Sequence, residues 1–363
     1  MKILYVYPFC SLGGVEISIV NKMQALKKVG IDSEAILLNI WNKGGNYLLN
    51  NSSIKANLNI NELIDMLRKD FDIITIIDFP KLLYIIDRLN INKKIIYETH
   101  CSTLREMKIS YSIMKQKKIS AIIVPSQFNK EMIEKITNID KNIFVLPNPI
   151  DINIFSNIPT AELNFYKGFI NKKNIIWIGR LERNKNPINF IKMGNILLQS
   201  NKDLNFIIIG NICGDLNYFQ LIKSNIPIDY ISNYTFFYDI PNERMPEIYS
   251  LAANTGGCLV STSENESLPM IFLEAMACKC PVVSPNVGGI GELIRNNLTG
   301  KIYESNNIND GCKAIKELID KNNITIRDKI IKNSYELVIA KHSIDKISVA
   351  YNTILYSIFN EAK

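Results

Sequence analysis

The chain has 363 residues, 47% of them apolar and 21% charged, enough to bury more than one core and to predict two domains of ordinary soluble composition. Seven cysteines, odd in number, widely spaced and without a C-x-x-C, argue against a disulfide framework or a zinc ribbon; two histidines, His100 and His342, exclude a multi-histidine metal site. The net charge of +7 lies mostly in residues 1–160, where 20 basic residues stand against 15 acidic ones; this suits an anionic acceptor or an anionic membrane face as well as plain solubility, and no nucleic-acid partner is expected.

The opening run predicts a buried strand at Ile3–Tyr7, being too short for a signal peptide and without a small-residue cleavage site. No window reaches transmembrane length, so a cytoplasmic protein is expected. Further strands are predicted at Ser33–Leu38, Ile73–Ile77, Lys94–Glu98, Ala121–Pro125 and Ile143–Leu146, with helices such as Val15–Lys28 and Asn129–Lys135 between them. Such alternation points to a parallel sheet covered by helices. It breaks after Pro147-Asn-Pro-Ile-Asp151, and residues 156–173 read as irregular. A second α/β unit of Rossmann type follows. Its strands are predicted at Asn174–Ile178, Asn205–Ile209, Thr235–Tyr238, Cys258–Ser261 and Pro281–Ser284. Its helices are predicted at Asn186–Gln199, Met245–Ala252, Met270–Ala277, Asn309–Leu318 and Ile324–Ile339. In the last segment Ile344, Ile347, Ala350, Tyr351, Ile354, Leu355 and Ile358 recur at helical spacing.

The most informative stretch runs from Glu266 through Ser267, Leu268, Pro269 and Met270 to Glu274-Ala-Met-Ala. Two carboxylates are separated by a turn and the start of an apolar, helix-favouring segment. Eight positions are a little over two helical turns, so a loop glutamate and a helix glutamate can face one cleft. Ser263 stands three before the first glutamate; Pro281-Val-Val and Gly288-Gly289-x-x-Glu292 follow the second. This order resembles the E-x7-E signature of retaining glycosyltransferases of GT-B fold, most closely glycosyltransferase family 4. The resemblance implies an α/β architecture of two Rossmann-like domains facing across a cleft. Residues 1–160 would form the acceptor side, 170–342 would bind the nucleotide sugar, and the C-terminal helix, 343–363, would cross back to the N-terminal domain.

The resemblance also implies roles. Gly179-Arg180-Leu181 and Lys185, after a predicted strand, would bind the donor diphosphate and stabilise it as leaving group, the fixed cations and backbone amides replacing a metal. Gly13 and Gly14, before the first helix, offer backbone that a phosphate can approach. His100, ending Ile-Ile-Tyr-Glu-Thr-His, would lie near the transferred sugar. Glu266 would accept sugar hydroxyls, helped by backbone amides around Ser267, Leu268, Pro269 and Met270, and Glu274 would take both ribose hydroxyls. Tyr238 and Ile240 would lie near the base. Leu268-Pro269 departs from the glycines common in the family, which leaves the donor sugar open. Front-face substitution with retention is implied.

Other features read differently. Asp70-Phe71-Asp72 imitates a metal-binding D-x-D but fits a loop between helix and sheet. Pro125-Ser126-x-x-Asn129 resembles a family element, and helix capping by Ser126 explains it equally. The segment 104–118, with Arg105, Lys108, Lys115, Lys117 and Lys118, reads as a membrane-docking helix or as an ordinary solvated face. The expected activity is transfer of a sugar from a nucleotide-diphosphate donor to a saccharide, lipid-linked or protein acceptor, with no cofactor and no metal. The rivals are a non-catalytic GT-B partner subunit and an epimerase or phosphorylase of the same fold.

Overall fold

The computed structural model describes the chain except residues 12, 41–44, 46–47, 115–118, 137–141, 213–214 and 361–363; the side chains of 109, 111, 113, 114, 164 and 165 are likewise outside the description. The chain divides into two units, Met1–Ile150 with Lys341–Lys363, and Asp151–Ala340.

In the first unit the apolar runs form a parallel sheet of seven strands: β1 (Lys2–Cys10), β2 (Asp32–Ile40), β3 (Ile54–Ala56), β4 (Ile73–Ile77), β5 (Lys94–Glu98), β6 (Ala121–Val124) and β7 (Ile143–Val145). A parallel sheet is covered on both faces, so its central strands read as unbroken apolar runs. Ile-Ile-Thr-Ile-Ile of β4 and Ala-Ile-Ile-Val of β6 are buried at every position. The order is β3-β2-β1-β4-β5-β6-β7, and it changes direction between β1 and β4. Helix Gly14–Lys28 packs against the C-terminal helix, Ile344–Asn360. That helix belongs to the first unit. The chain is clasped where it leaves and returns. Ile150 N–H donates to the His342 carbonyl at 2.8 Å and Ile344 N–H to the Ile150 carbonyl at 3.2 Å.

The second unit repeats the logic with β8 (Lys173–Ile178), β9 (Leu204–Ile209), β10 (Tyr234–Phe237), β11 (Cys258–Val260), β12 (Val282–Pro285) and β13 (Lys301–Tyr303) in the order β10-β9-β8-β11-β12-β13. Direction changes between β8 and β11. Such switch points are where the carboxyl ends of strands leave room for a ligand. The core here is built on Ile175, Trp177, Phe190, Phe206 and Ile315.

Four expectations need correction. β3 and β13, three residues each, are absent from the predicted elements because so short a run shows no period. Helices Ile60–Arg68, Leu82–Arg88 and Leu216–Ser224 add to those expected. The stretch read as irregular holds two 3-10 turns, Thr160–Glu162 and Asn164–Phe169. Residues 151–160 belong to the second unit, not the first. Ile158 N–H donates to Ser250 Oγ at 2.8 Å, and Asn157 Nδ2 to the Cys278 carbonyl at 3.0 Å.

Candidate active site

The second switch point brings the main motifs together. After β8 the chain turns through Gly179 and Arg180 into the 3-10 turn Arg183–Lys185. After β11 it runs through Ser261, Thr262 and Ser263 to Glu266. Thr262 stitches the two loops. Its hydroxyl reaches the Lys185 and Asn186 carbonyls, both at 2.8 Å, and accepts from Trp177 Nε1 at 2.9 Å. Glu264 N–H donates to the Asn184 carbonyl at 2.9 Å. On this frame Lys185 Nζ meets Glu266 Oε1 at 2.6 Å, with both side chains mostly buried. Arg180 stands at the same sheet edge but points outward, 57% exposed and paired with Glu182 at 2.8 Å. It is not drawn into the Lys185–Glu266 contact.

The glycine pair explains itself structurally. Gly289 N–H donates to the Glu266 carbonyl at 3.0 Å. Gly288 has φ +55°, and a Cβ there would lie 1.9 Å from that same carbonyl oxygen. Only glycine combines that backbone with that approach. The Gly288-Gly289 segment is therefore the floor on which the Glu266 loop rests.

Helix Met270–Ala277 follows Pro269, with no side-chain cap. Its first-turn amides carry the positive end of the helix. Ser267, Leu268 and Met270 are buried. Glu274 on this helix is also buried, and its Oε2 accepts the Tyr249 hydroxyl at 2.7 Å. Burial pushes its carboxyl up to about 7, opposed only in part by that hydrogen bond. Tyr249, on helix Met245–Asn254, has no motif to announce it in the sequence. Tyr238 is 39% exposed and stacks on Phe236, and Ile240 is half-buried beyond it.

In the first unit, Gly13 caps helix Gly14–Lys28 in extended conformation. The helix start already faces a carboxylate: Glu16 is buried and its Oε1 accepts Ser11 N–H at 2.9 Å. A phosphate reaching Gly13 and Gly14 would meet that acid, a feature the sequence reading did not weigh. His100 follows β5. Its Nε2 lies 2.6 Å from Glu98 Oε1, which also pairs with Lys22. Its backbone N–H points at both oxygens of Asp78, each at 3.2 Å. Lys22, Glu98 and Asp78 escaped the sequence reading. The usable signal was that Glu98 precedes His100 by two positions in an extended run, so both leave one face. Ser126 Oγ accepts Asn129 N–H at 3.1 Å, which is the helix-capping role.

Asp72 accepts the Lys2 backbone N–H at 2.7 Å, at the sheet edge away from His100, and forms a loop anchor. Among the described residues no group of three or more His, Cys, Asp or Glu side chains is placed to hold a metal. Helix Leu104–Met114 exposes Leu104, Arg105 and Lys108 and buries Met107. Lys115, Lys117 and Lys118, on which the membrane-docking expectation rested, lie outside the described residues. No helix among the described residues is long and apolar enough to cross a membrane. The six described cysteines are free.

Residues 162–337 match the profile of the family described as glycosyl transferases group 1. A putative glycosyltransferase, YtcC, of Bacillus subtilis is 26% identical over 78% of this chain and 73% of its own length. The D-inositol 3-phosphate glycosyltransferase of Paenarthrobacter aurescens is 28% identical over 49% of this chain, a match spanning 43% of that protein. Anabaena Alr3699/HepE, solved in complex with UDP and glucose, superposes with a TM-score of 0.82 at 17% identity, over 98% of this chain and 100% of that one. Residues 162–337 thus carry a group 1 glycosyltransferase domain, and the two parallel sheets give the chain the GT-B fold it shares with HepE.

Proposed function

We propose that this chain is a retaining, metal-independent glycosyltransferase that moves a sugar from a nucleotide-diphosphate donor to a saccharide, lipid-linked or protein acceptor. Its place would be cell-surface glycan synthesis at the cytoplasmic side of the membrane. The observation that carries the reading is the contact of Lys185 with Glu266 at the second switch point. One group suits a departing diphosphate, the other suits sugar hydroxyls, and the fold holds both at one spot. In the front-face route the anomeric carbon–oxygen bond to the diphosphate breaks as the acceptor hydroxyl adds on the same face. The acceptor proton passes to the leaving diphosphate oxygen. Lys185 and Arg180 offset the charge gathering there, which acts more strongly in the transition state than in the ground state. Glu266 orients the sugar. Because HepE holds UDP and glucose, UDP-glucose is the first donor to try.

The test is a thermal-shift panel of nucleotide sugars followed by NMR of the product. A donor at about 100 times its Kd stabilises by roughly 2.7 kcal/mol. One nucleotide sugar should raise Tm, and with an acceptor extract it should yield a glycoside of the donor's anomeric configuration. Hydrolysis or epimerisation of the bound donor with no glycoside formed would reject the assignment.

A further inference from the structure

Tyr5, Thr75 and Glu98 stand on one face of the first sheet. The register pairs Tyr5 with Thr75 and Ile77 with Glu98, and side chains two apart along a strand share a face. Helix Gly14–Lys28 brings Lys22 onto this face, and the C-terminal helix brings Tyr351, whose hydroxyl accepts from Tyr5 at 2.8 Å. Lys22 and Glu98 are each 1% exposed. Their ion pair and the His100 Nε2 contact fall on the same oxygen, Glu98 Oε1. Glu98 Oε2 has no hydrogen-bond partner among the described residues.

A buried ion pair is a poor stabiliser, because desolvation of the two charges rivals their attraction. Its geometry here points to another role. Burial alone would raise the Glu98 carboxyl, yet Lys22 and His100 hold it down at about 2. It is therefore a carboxylate, and a carboxylate only accepts. His100 Nε2 must carry the proton. Nδ1 has no hydrogen-bond partner among the described residues. Two further contacts fix the loop: Asp78 receives the His100 N–H, and Asn129 Nδ2 donates to the Cys101 carbonyl at 2.7 Å.

We infer that Glu98, with Lys22 as its counter-ion, is the positioning residue that locks His100 as the Nε2–H tautomer and presents Nδ1 to a hydroxyl of the donor sugar as an acceptor. This rests on the assignment of His100 to the sugar pocket. Second partners of this kind decide which imidazole nitrogen is available.

The chain's two histidines make the test clean. His342 Nδ1 faces the Asn148 carbonyl at 3.1 Å, so His342 is the opposite, Nδ1–H tautomer. Long-range proton–nitrogen spectra of the whole wild-type chain at about pH 8 should show two imidazoles of opposite tautomer, with the Nε2–H signal missing in His100→Asn. Glu98→Gln should mix the His100 tautomers and lower kcat by about tenfold or more, with donor KM little changed. On the His100→Asn background it should cost nothing further. If the single variant does not fold, Lys22→Met with Glu98→Gln removes both charges together and serves the same purpose. An Nδ1–H signal for His100 in the wild type overturns the inference. So does a wild-type kcat in the Glu98 variant while His100→Asn is impaired. A wild-type kcat in His100→Asn itself removes His100 from the sugar pocket and ends the positioning role for the reaction, while the wild-type spectrum still decides the Glu98 contact.

Discussion

Lys185 Nζ and Glu266 Oε1, 81 residues apart in the chain, stand 2.6 Å from each other at the end of β8 and β11. The pair links a cation suited to phosphate with an acceptor suited to sugar. In the proposed function both groups serve the donor, so a change in one should be felt by the other.

Lys185→Ala and Glu266→Ala should each lower kcat, the first by roughly 10–150-fold for a lost charge-assisted bond and the second by about 100-fold for a misplaced sugar. The double variant should lose less than the product of the two, because residues in contact do not add. Arg180→Ala should lower kcat without coupling to Glu266, since its partner is Glu182. Steady-state kinetics of these four variants and of the Arg180→Ala, Glu266→Ala double variant measure this. Full additivity for Lys185 and Glu266 would mean the pair is not used together.

Glu274 makes a pH prediction. Its carboxyl is raised from 4.5 to about 7 by burial, so between those values the folded chain holds a proton that the unfolded chain has released. Stability from this group is whole below about pH 4.5, falls as pH rises to about 7 and is flat above. Glu274→Gln keeps an acceptor for Tyr249 and removes that fall, so it should be more stable than wild type at about pH 8, by up to about 3 kcal/mol. Urea unfolding at several pH values checks it, and parallel pH profiles for the two proteins would refute it.

The proposed ribose contact ties the same group to donor binding. Ribose hydroxyls need the ionised carboxylate, so wild-type donor Kd should tighten as pH rises through about 7. Glu274→Gln should raise donor KM with kcat nearly kept, since ribose contacts are similar in ground and transition states. A variant that loses kcat alone would place Glu274 elsewhere.

Gly288→Ala should impair activity more than folding. The φ of +55° is strained for alanine by about 1 kcal/mol or more, and the added carbon would collide with the Glu266 carbonyl. The relief is a shift of the Glu266 loop. The expected result is a Tm within several degrees of wild type and a fall in kcat approaching that of Glu266→Ala. Unchanged kcat would separate the glycine pair from the site.

Turnover should survive EDTA, because Lys185, Arg180 and helix amides are assigned the work of a metal. Activity abolished by chelation and restored by magnesium or manganese would reject the metal-free mechanism.

How much of this was legible before folding follows from what is local. The apolar runs of β4 and β5 were read to the residue, because a parallel strand buried on both faces announces itself. Helix Met270–Ala277 was likewise read to the residue, being an apolar, strongly helix-forming run entered through Pro269. The glutamate pair, Lys185 and the glycine pair were visible as motifs, since their spacing is a property of the chain. Only the tertiary structure decided what those residues touch. Nothing in the sequence links Lys185 to Glu266, Tyr249 to Glu274 or Lys22 to Glu98. Such pairs depend on strand order, which brings β8 beside β11 and lays helix Gly14–Lys28 across the first sheet. Burial also depends on that packing, and it is burial that turns Glu274 from an ordinary surface acid into one titrating at about 7. Chemistry-bearing residue types are written along the chain; their partners and their protonation are set by what the fold places around them.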